Sequence, residues 1–536
     1  MKFGAVEIDP AKNPAILDTA TWNTKSAWDI FCRLDEQYWR SLERSAFSVE
    51  RIVFPERYPL YAIPDSCARY QASVFFLAGL RDGQQVFIGI GPDPDWIGVL
   101  GEPIGKKQLA RHTDGGQADG KYVVVYKTDA AIIDRYCRLI NPDKGPKALG
   151  ATPRLGIGSR MSTCAWPGVW QAMDRCSFSA NAIQNSVREL NLLEDVLAGR
   201  PACTNYLPGF GMIEQGHTGS TFEGLWVGGV LEALKSDTRP RYGADADHIM
   251  VKRGAEGISQ AKRVIDAARY YTFFTLDVSD ILDYAAIGRP AGKYWPALEA
   301  VGELYNHIKS LKDGVAFDLE LSIDENPPDV DACKSVTTEE ELLFLVLEMQ
   351  RRQILLTHIA PNFGIVKGQD YRGPDGLVGL EQRIRKLHRI AAEHGVILDF
   401  HSGDDLESIT RKVIGRATNG QNHFKISPAL QIIFAEALSD FDPEQFRFWW
   451  DDTLDYARRE AAAGYESVRD AEPSPRHIVF RRYCFASIGR RDACGQFIHR
   501  EKFYTLPADF YREYERRVEH YLCEVATDVF NRTCEG

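Results

Sequence analysis

The segment Ala316–Glu325 reads Ala-Phe-Asp-Leu-Glu-Leu-Ser-Ile-Asp-Glu and alternates strictly between apolar and polar residues. Successive side chains of a strand point to opposite faces, so Asp318, Glu320, Ser322 and Asp324 share one face and Phe317, Leu319, Leu321 and Ile323 the other. Carboxylates on one face are costly to bury without partners. They form either a solvated sheet edge or an inward face that binds a cation or moves protons. A second run, Ile397–Asp405, ends an apolar stretch in Asp399, His401, Ser402 and an acidic Gly-containing loop. Asp399 and His401 share a face, as metal ligands or a general base would. Asp245, Asp247 and His248 place two carboxylates and an imidazole side by side, donors that suit Mn, Co, Ni or Zn. His423 and Lys425 share a face, where the ammonium can neutralise a carboxylate or a developing enolate. Thr275, Asp277 and Ser279 share another.

These residues need a scaffold that brings distant segments together. From about residue 151 short β-rich runs alternate with amphipathic helical stretches. The expected strands are Arg154–Arg160, Gly211–Gln215, Asp247–Lys252, Thr272–Asp277, Ala316–Ile323, Ile354–Ile359, Val396–His401 and Asn422–Ile426. Between them lie helical segments such as Ile183–Ala198, Ile258–Arg269, Pro296–Leu311, Thr338–Arg352 and Leu380–His394. Thr338 followed by three glutamates is a helix start, and His394-Gly395 a helix stop. The pattern predicts an α/β fold, a (β/α)8 TIM-like barrel over 151–436, whose chemistry would sit at the C-terminal ends of its strands. Residues 1–150 read as an N-terminal mixed α/β domain, with strands at Tyr70–Leu80, Gln85–Ile90 and Lys121–Lys127 and a Gly-rich loop at 114–120. Residues 437–536 read as a helical cap, its longest helix Ala508–Val529.

The 536 residues are 44% hydrophobic and 26% charged, ordinary for a packed globular chain, and carry a net charge of −11. That balance argues against nucleic acid and anionic membranes as partners. No apolar run is long enough to span a bilayer, and no leader pattern follows Met1. The 11 cysteines form no CxxC pair, so a reduced, cytoplasmic protein is expected. Gly89-Ile90-Gly91 and Gly156-Ile157-Gly158 both fail to complete a dinucleotide loop, and no nucleophile elbow, HExxH or P-loop occurs. The residues alone therefore point to a barrel enzyme, divalent-metal dependent, acting on a small polar substrate.

The order of several motifs resembles the tagaturonate epimerase family: Gly243–His248, Tyr271–Asp277, Glu320–Glu325, His401–Asp404 and His423–Lys425, with Gln184–Glu189 and Arg500–Tyr504. The resemblance covers roughly 150–520. It implies interconversion of the keto-uronates tagaturonate and fructuronate with a divalent metal, in hexuronate catabolism. It implies His248, His401 and His423 as metal ligands, with Asp247 or Glu320 completing the shell. Glu320, Asp324 and Asp247 become the acid–base candidates, and Lys425, Arg160, Gln215, Ser402 and Asp277 the substrate-binding ones. Two stretches depart from the family pattern: Asp404-Asp405-Leu406 stands where Ser-Asp-Lys is expected, and Ile426-Ser427-Pro428 where Thr-Ala-Gly is expected. They point to a divergent branch acting on a related keto-sugar. The inverted carbon is not α to the ketone, so enolisation alone cannot invert it; retro-aldol cleavage or transient oxidation can. The alternatives are a metal-dependent ketose or uronate isomerase on the same barrel and a non-catalytic sugar-acid binder. The expected partners are a small keto-sugar acid and, in a homo-oligomer, further copies of the chain.

Overall fold

Eight short runs pair in parallel and close into the expected barrel. They are β1 (Arg154–Gly158), β2 (Ser179–Ser186), β3 (Tyr242–Met250), β4 (Phe273–Asp277), β5 (Asp318–Ser322), β6 (His358–Ala360), β7 (Ile397–Phe400) and β8 (Asn422–Ile426). The computed structural model describes the chain except residues 1, 4–5, 8–23, 34–38, 40–59, 81–82, 93, 110–119, 199, 201–203, 208–210, 287–288, 326–329, 461–471, 490–498 and 533–536. The Gly-rich loop expected at 114–120 lies, but for Gly120, outside the described residues.

Two strand expectations are corrected. Gly211–Glu214 does not enter the barrel; it pairs antiparallel with Thr204–Leu207 in a hairpin. The second barrel strand is instead Ser179–Ser186, part of which reads as helix by its apolar spacing. Its sequence Ser-Ala-Asn-Ala-Ile-Gln-Asn-Ser lacks the bulky β-branched signature because small residues and amides fit a lumen-lining strand. Likewise β3 begins five residues earlier than expected, at Tyr242, so Asp247 and His248 fall near its C-terminal end.

Helices follow the strands as the capping signals require. Glu339–Arg351 starts with a capping box in which Thr338 Oγ1 accepts from the Glu341 amide (3.2 Å) and Glu341 accepts from the Thr338 amide (2.8 Å). Gly376–Glu393 ends at His394, before Gly395 with φ 72°. The segment after 437 is helical, with Pro443–Glu460, Ile478–Ile488 and Ala508–Phe530. Arg411, buried on helix Ser408–Ala417, anchors the last of these through Asp528 and Glu524 (both 2.9 Å). Helix Trp166–Arg175 meets the same helix so closely that a Cβ on Gly168 would lie 2.4 Å from the Glu515 carbonyl oxygen. Gly168→Ala is expected to cost about 1–3 kcal/mol by overpacking, read as a lower urea midpoint at unchanged slope.

The chain divides into two compact units, one of residues 1–13, 147–222 and 241–536, the other of 14–146 and 223–240. The first holds the barrel and the helices after 437. The second holds a five-stranded antiparallel sheet in the order Leu60–Tyr70, Ser73–Leu80, Gln85–Gly91, Tyr122–Tyr126, Gly105–Gln108. The run expected as one strand at Tyr70–Leu80 is broken into a hairpin at Gln71, whose φ is 53°. Phe76, Ile88 and Val125 form its core with Ala27 and Phe31 of helix Thr24–Arg33. Gly89 and Gly91 lie within a strand, in keeping with the incomplete phosphate-loop pattern. Among the described residues no helix is long and apolar enough to cross a membrane.

Candidate active site

Polar side chains line most of the lumen, around the ring of Phe273. At its N-terminal end Arg154 and Asp318 form a fully buried ion pair at 2.9 Å. Asp318 also accepts the amides of Leu149 (2.8 Å) and Gly150 (2.9 Å), and Arg154 reaches Asn181 (3.3 Å). Asp318 therefore closes the barrel floor, although it shares the strand face of Glu320.

The middle layer is built around one ammonium. Lys425 Nζ lies 2.7 Å from Glu320, 2.9 Å from Asp247, 3.3 Å from Asp245 and 3.5 Å from Asp399, and donates to Thr275 at 2.9 Å. Burial works against its charge, but these carboxylates hold its pKa well above the ordinary lysine value. Gly156 makes the space: a Cβ there would lie 2.6 Å from Lys425 Cγ and 2.7 Å from Gln184 Oε1. Burial, reinforced by Asp399, pushes the Glu320 carboxyl up to about 7, with Lys425 and His401 holding it back. Asp245 is pushed well up, chiefly by burial. His423 sits on Asp399 at 2.7 Å; burial lowers it to about 4 despite that carboxylate.

The mouth carries the remaining groups. In an unbroken strand Asp247 and His248 would face opposite sides. A bulge between Ala246 and Ile249, with His248 at φ 56°, sends both into the site. His248 Nδ1 lies 3.3 Å from Asp277, and its ring packs edge-on against His401 with centroids 4.5 Å apart. His401 is bracketed by carboxylates, Nε2 at 2.8 Å from Glu320 and Nδ1 at 3.0 Å from Asp324. Burial would lower its pKa, but Asp324 and Glu320 override it and hold the imidazole well above its usual value. Arg160 (φ 47°) and Ser402 (φ 58°) also have left-handed backbones, so three of the barrel's strand ends carry local strain at the mouth, as functional sites often do.

The structure thus gathers Asp247, His248, Asp277, Glu320, Asp324, His401, His423 and Lys425 in one lumen. His423 belongs to its lower layer, packed on His358 with ring centroids 5.1 Å apart, while His248 and His401 sit above. Arg160 lies at the rim, paired with Glu189 (3.1 Å) and Ser427 Oγ (2.9 Å). Ser402 follows His401 on the strand-7 loop. Gln215 lies in the turn after the hairpin, beside Gly216, whose amide donates to the Arg188 carbonyl (3.0 Å). Sequence reading assigned no role to Arg188, which grips Glu325 with two hydrogen bonds (3.0 and 3.1 Å). Reading β2 as a strand would have placed Arg188 at a strand end. Lys367, also on Glu325, left no signal. The two stretches that depart from the family pattern meet: half-buried Asp404 accepts the amides of Ser427 (2.9 Å) and Ala429 (3.1 Å), capping helix Pro428–Phe441.

Among the described residues three groups have donor atoms close enough for one cation: Asp247–His248–His401, His248–Asp277–Glu325 and Glu320–Asp399–His423. The Lys425 ammonium lies against both carboxylates of the third group and also against Asp247 of the first. The first two share His248, and their mixed imidazole and carboxylate donors fit a divalent ion such as Zn, Mn, Co or Ni.

Acid–base groups and cation donors at the C-terminal mouth of a parallel (β/α)8 barrel define a barrel enzyme. Residues 282–465, from the loop after β4 past the end of β8, match the model of the tagaturonate epimerase family. The matched stretch is similar to this family of epimerases, in keeping with the motif order. Three crystal structures of fructuronate-tagaturonate epimerase from Cohnella laeviribosi share its fold: the native form (TM-score 0.64) and forms complexed with one (0.64) and two (0.65) glycerols. Each is 17% identical, with 91–93% of this chain and 99–100% of the other covered. No curated protein sequence matches the chain.

Proposed function

We propose that the chain interconverts tagaturonate and fructuronate, or a closely related keto-sugar pair, in the cytoplasm, by retro-aldol and aldol steps with a divalent metal. The observation that carries this reading is the His248–His401 pair set directly against Glu320 and Asp247 at the barrel mouth. His248, His401 and Asp247 would hold the ion. When bound there, it supplies Lewis acidity to the substrate's ketone oxygen.

The rest is work for the chain's own side chains. Glu320 takes the proton of the hydroxyl on the carbon to be inverted. The O–H electron pair becomes the new aldehyde carbonyl. The bond to the neighbouring carbon breaks, and its electrons enter the enediolate of the other fragment. Rotation of the aldehyde exposes its second face, the bond re-forms there, and Glu320 returns the proton. Lys425 keeps Glu320 oriented. Asp324, ionised beside His401, fixes that imidazole, and Asp277 fixes His248.

The test is carbon NMR of tagaturonate incubated with purified protein reloaded with Mn, Co, Ni or Zn. Fructuronate is expected to appear with at least one metal; a folded protein that leaves tagaturonate unchanged with all of them sinks the tagaturonate–fructuronate assignment, and one that also leaves related keto-sugars unchanged sinks the epimerase reading. Separately, His401→Ala is expected to lose bound metal, measured by elemental analysis, while keeping its circular dichroism. Full metal occupancy in that variant would remove His401 from the ligand set.

A further inference from the structure

We propose that Lys367, with Arg188 behind it, is the clamp that receives the substrate's carboxylate. The inference rests on the keto-uronate reading above and names the residue that selects the acid.

The argument is one of charge balance among the cations of the lumen and its mouth. Arg154 is matched by Asp318 on the floor. Arg160 is matched by Glu189 and stacked over Phe485, with its guanidinium carbon 4.6 Å from the ring centre. Lys425 is outnumbered by carboxylates. Arg481 is matched by Asp405 at 3.1 Å. Glu325 is different: this single carboxylate directly pairs with both Arg188 and Lys367. Arg188 also faces Asp277 and Glu189, so Lys367 is the cation of this group that can be released to an incoming carboxylate.

Placement agrees. Glu325 lies 3.7 Å from His248 Nδ1, so the Lys367 ion pair adjoins the proposed metal donors. Of the two cations Lys367 is the more accessible, its side chain 29% exposed against 15% for Arg188. Its loop is pinned: the Gly368 amide donates to Asp405 (2.7 Å), and Asp370 accepts the Glu407 amide (3.1 Å). Gly368 takes φ 87°, which a bulkier residue would resist. An ammonium on an anchored loop at the rim can exchange Glu325 for a substrate carboxylate at little ordering cost. Lys425, by contrast, cannot leave its carboxylates without stranding them, so the role expected for it from the sequence passes to Lys367.

Calorimetric dissociation constants for tagaturonate and tagatose, which differ in a carboxylate against a hydroxymethyl end, test the clamp. The wild-type chain is expected to prefer the acid by about 10- to 100-fold, the usual worth of a charge-assisted contact. Lys367→Met should abolish most of that preference without weakening tagatose binding, and Lys367→Arg should restore it. A preference that survives in Lys367→Met, or a wild type that binds the two sugars equally or binds neither, overturns the proposal. Acid-selective binding without turnover in the NMR experiment would leave the clamp standing and sink the proposed reaction instead.

Discussion

Lys425→Met is expected to destabilise the barrel unit by about 3–5 kcal/mol at pH 8, the usual cost of removing one partner of a buried ion pair. The ammonium is the centre of the lumen's middle layer, within 3.5 Å of Asp245, Asp247, Glu320 and Asp399. Removing it leaves those carboxylates facing one another in the dry interior. They can relieve the repulsion only by taking up protons. The folded variant then binds more protons than its unfolded chain, so its stability rises as the pH falls toward the ordinary carboxylate range of about 4. The wild-type chain runs the other way at two of these positions, Asp247 and Asp399. Burial pushes Asp247 and Asp399 up, but Lys425, with the neighbouring histidines, holds both below their ordinary value. Their contribution is present above the unfolded value and is lost as the pH falls through the lowered one. Urea midpoints of both proteins at pH 5.5 and pH 8 give the comparison. A variant with the wild-type midpoint at pH 8 would show that the ammonium does not neutralise the lumen.

That layer also marks the limit of what the sequence reveals. The alternation of Ala316–Ile323 places Glu320 in the lumen, and the end of Ile397–Asp405 places His401, because strand period and barrel polarity suffice for both. Lys425 is legible as a lumen cation, but its partners are not. Asp245 and Asp247 come from β3, Glu320 from β5 and Asp399 from β7, and only the closed barrel's register brings them to one nitrogen. His248 is harder still. Nothing in Ala-Asp-Ala-Asp-His announces the bulge that turns two consecutive side chains into the site. β2 is missed for a different reason: Asn181, Gln184 and Asn185 are buried amides, and polar residues with scattered Ala and Ile match helical spacing as well as a strand. Gly211–Glu214 has strand propensity, but its partner is a neighbouring hairpin arm, a choice that local pattern cannot decide.

Glu320→Gln is expected to lower kcat by about 10²- to 10⁴-fold, the usual worth of a general base, with KM and bound metal close to wild type. Glu320 is favoured over its neighbours by proton affinity as well as position. Asp324 lies against His401, whose charge overrides burial and keeps the carboxyl below its ordinary value; Asp247 is held lower by Lys425 and the histidines. Both are ionised at neutral pH but bind a proton weakly. Glu320, raised to about 7 chiefly by burial, is half ionised where the enzyme works and binds a proton well enough to draw it from a hydroxyl. In the wild-type chain kcat/KM should therefore climb with pH through about 7 as Glu320 ionises, and the variant should lack that limb. Stability carries the same signature with its own sign. A carboxyl whose folded pKa is raised binds more protons in the folded state between the unfolded value and about 7, so its deprotonation lowers stability as the pH rises through that window. Glu320→Gln should flatten that decline. A variant that keeps both the wild-type kcat and the acid limb would move the base to Asp324 or Asp247. Loss of kcat with the limb intact would make Glu320 a positioning residue for His401 and Lys425, its two closest charged contacts at 2.8 and 2.7 Å.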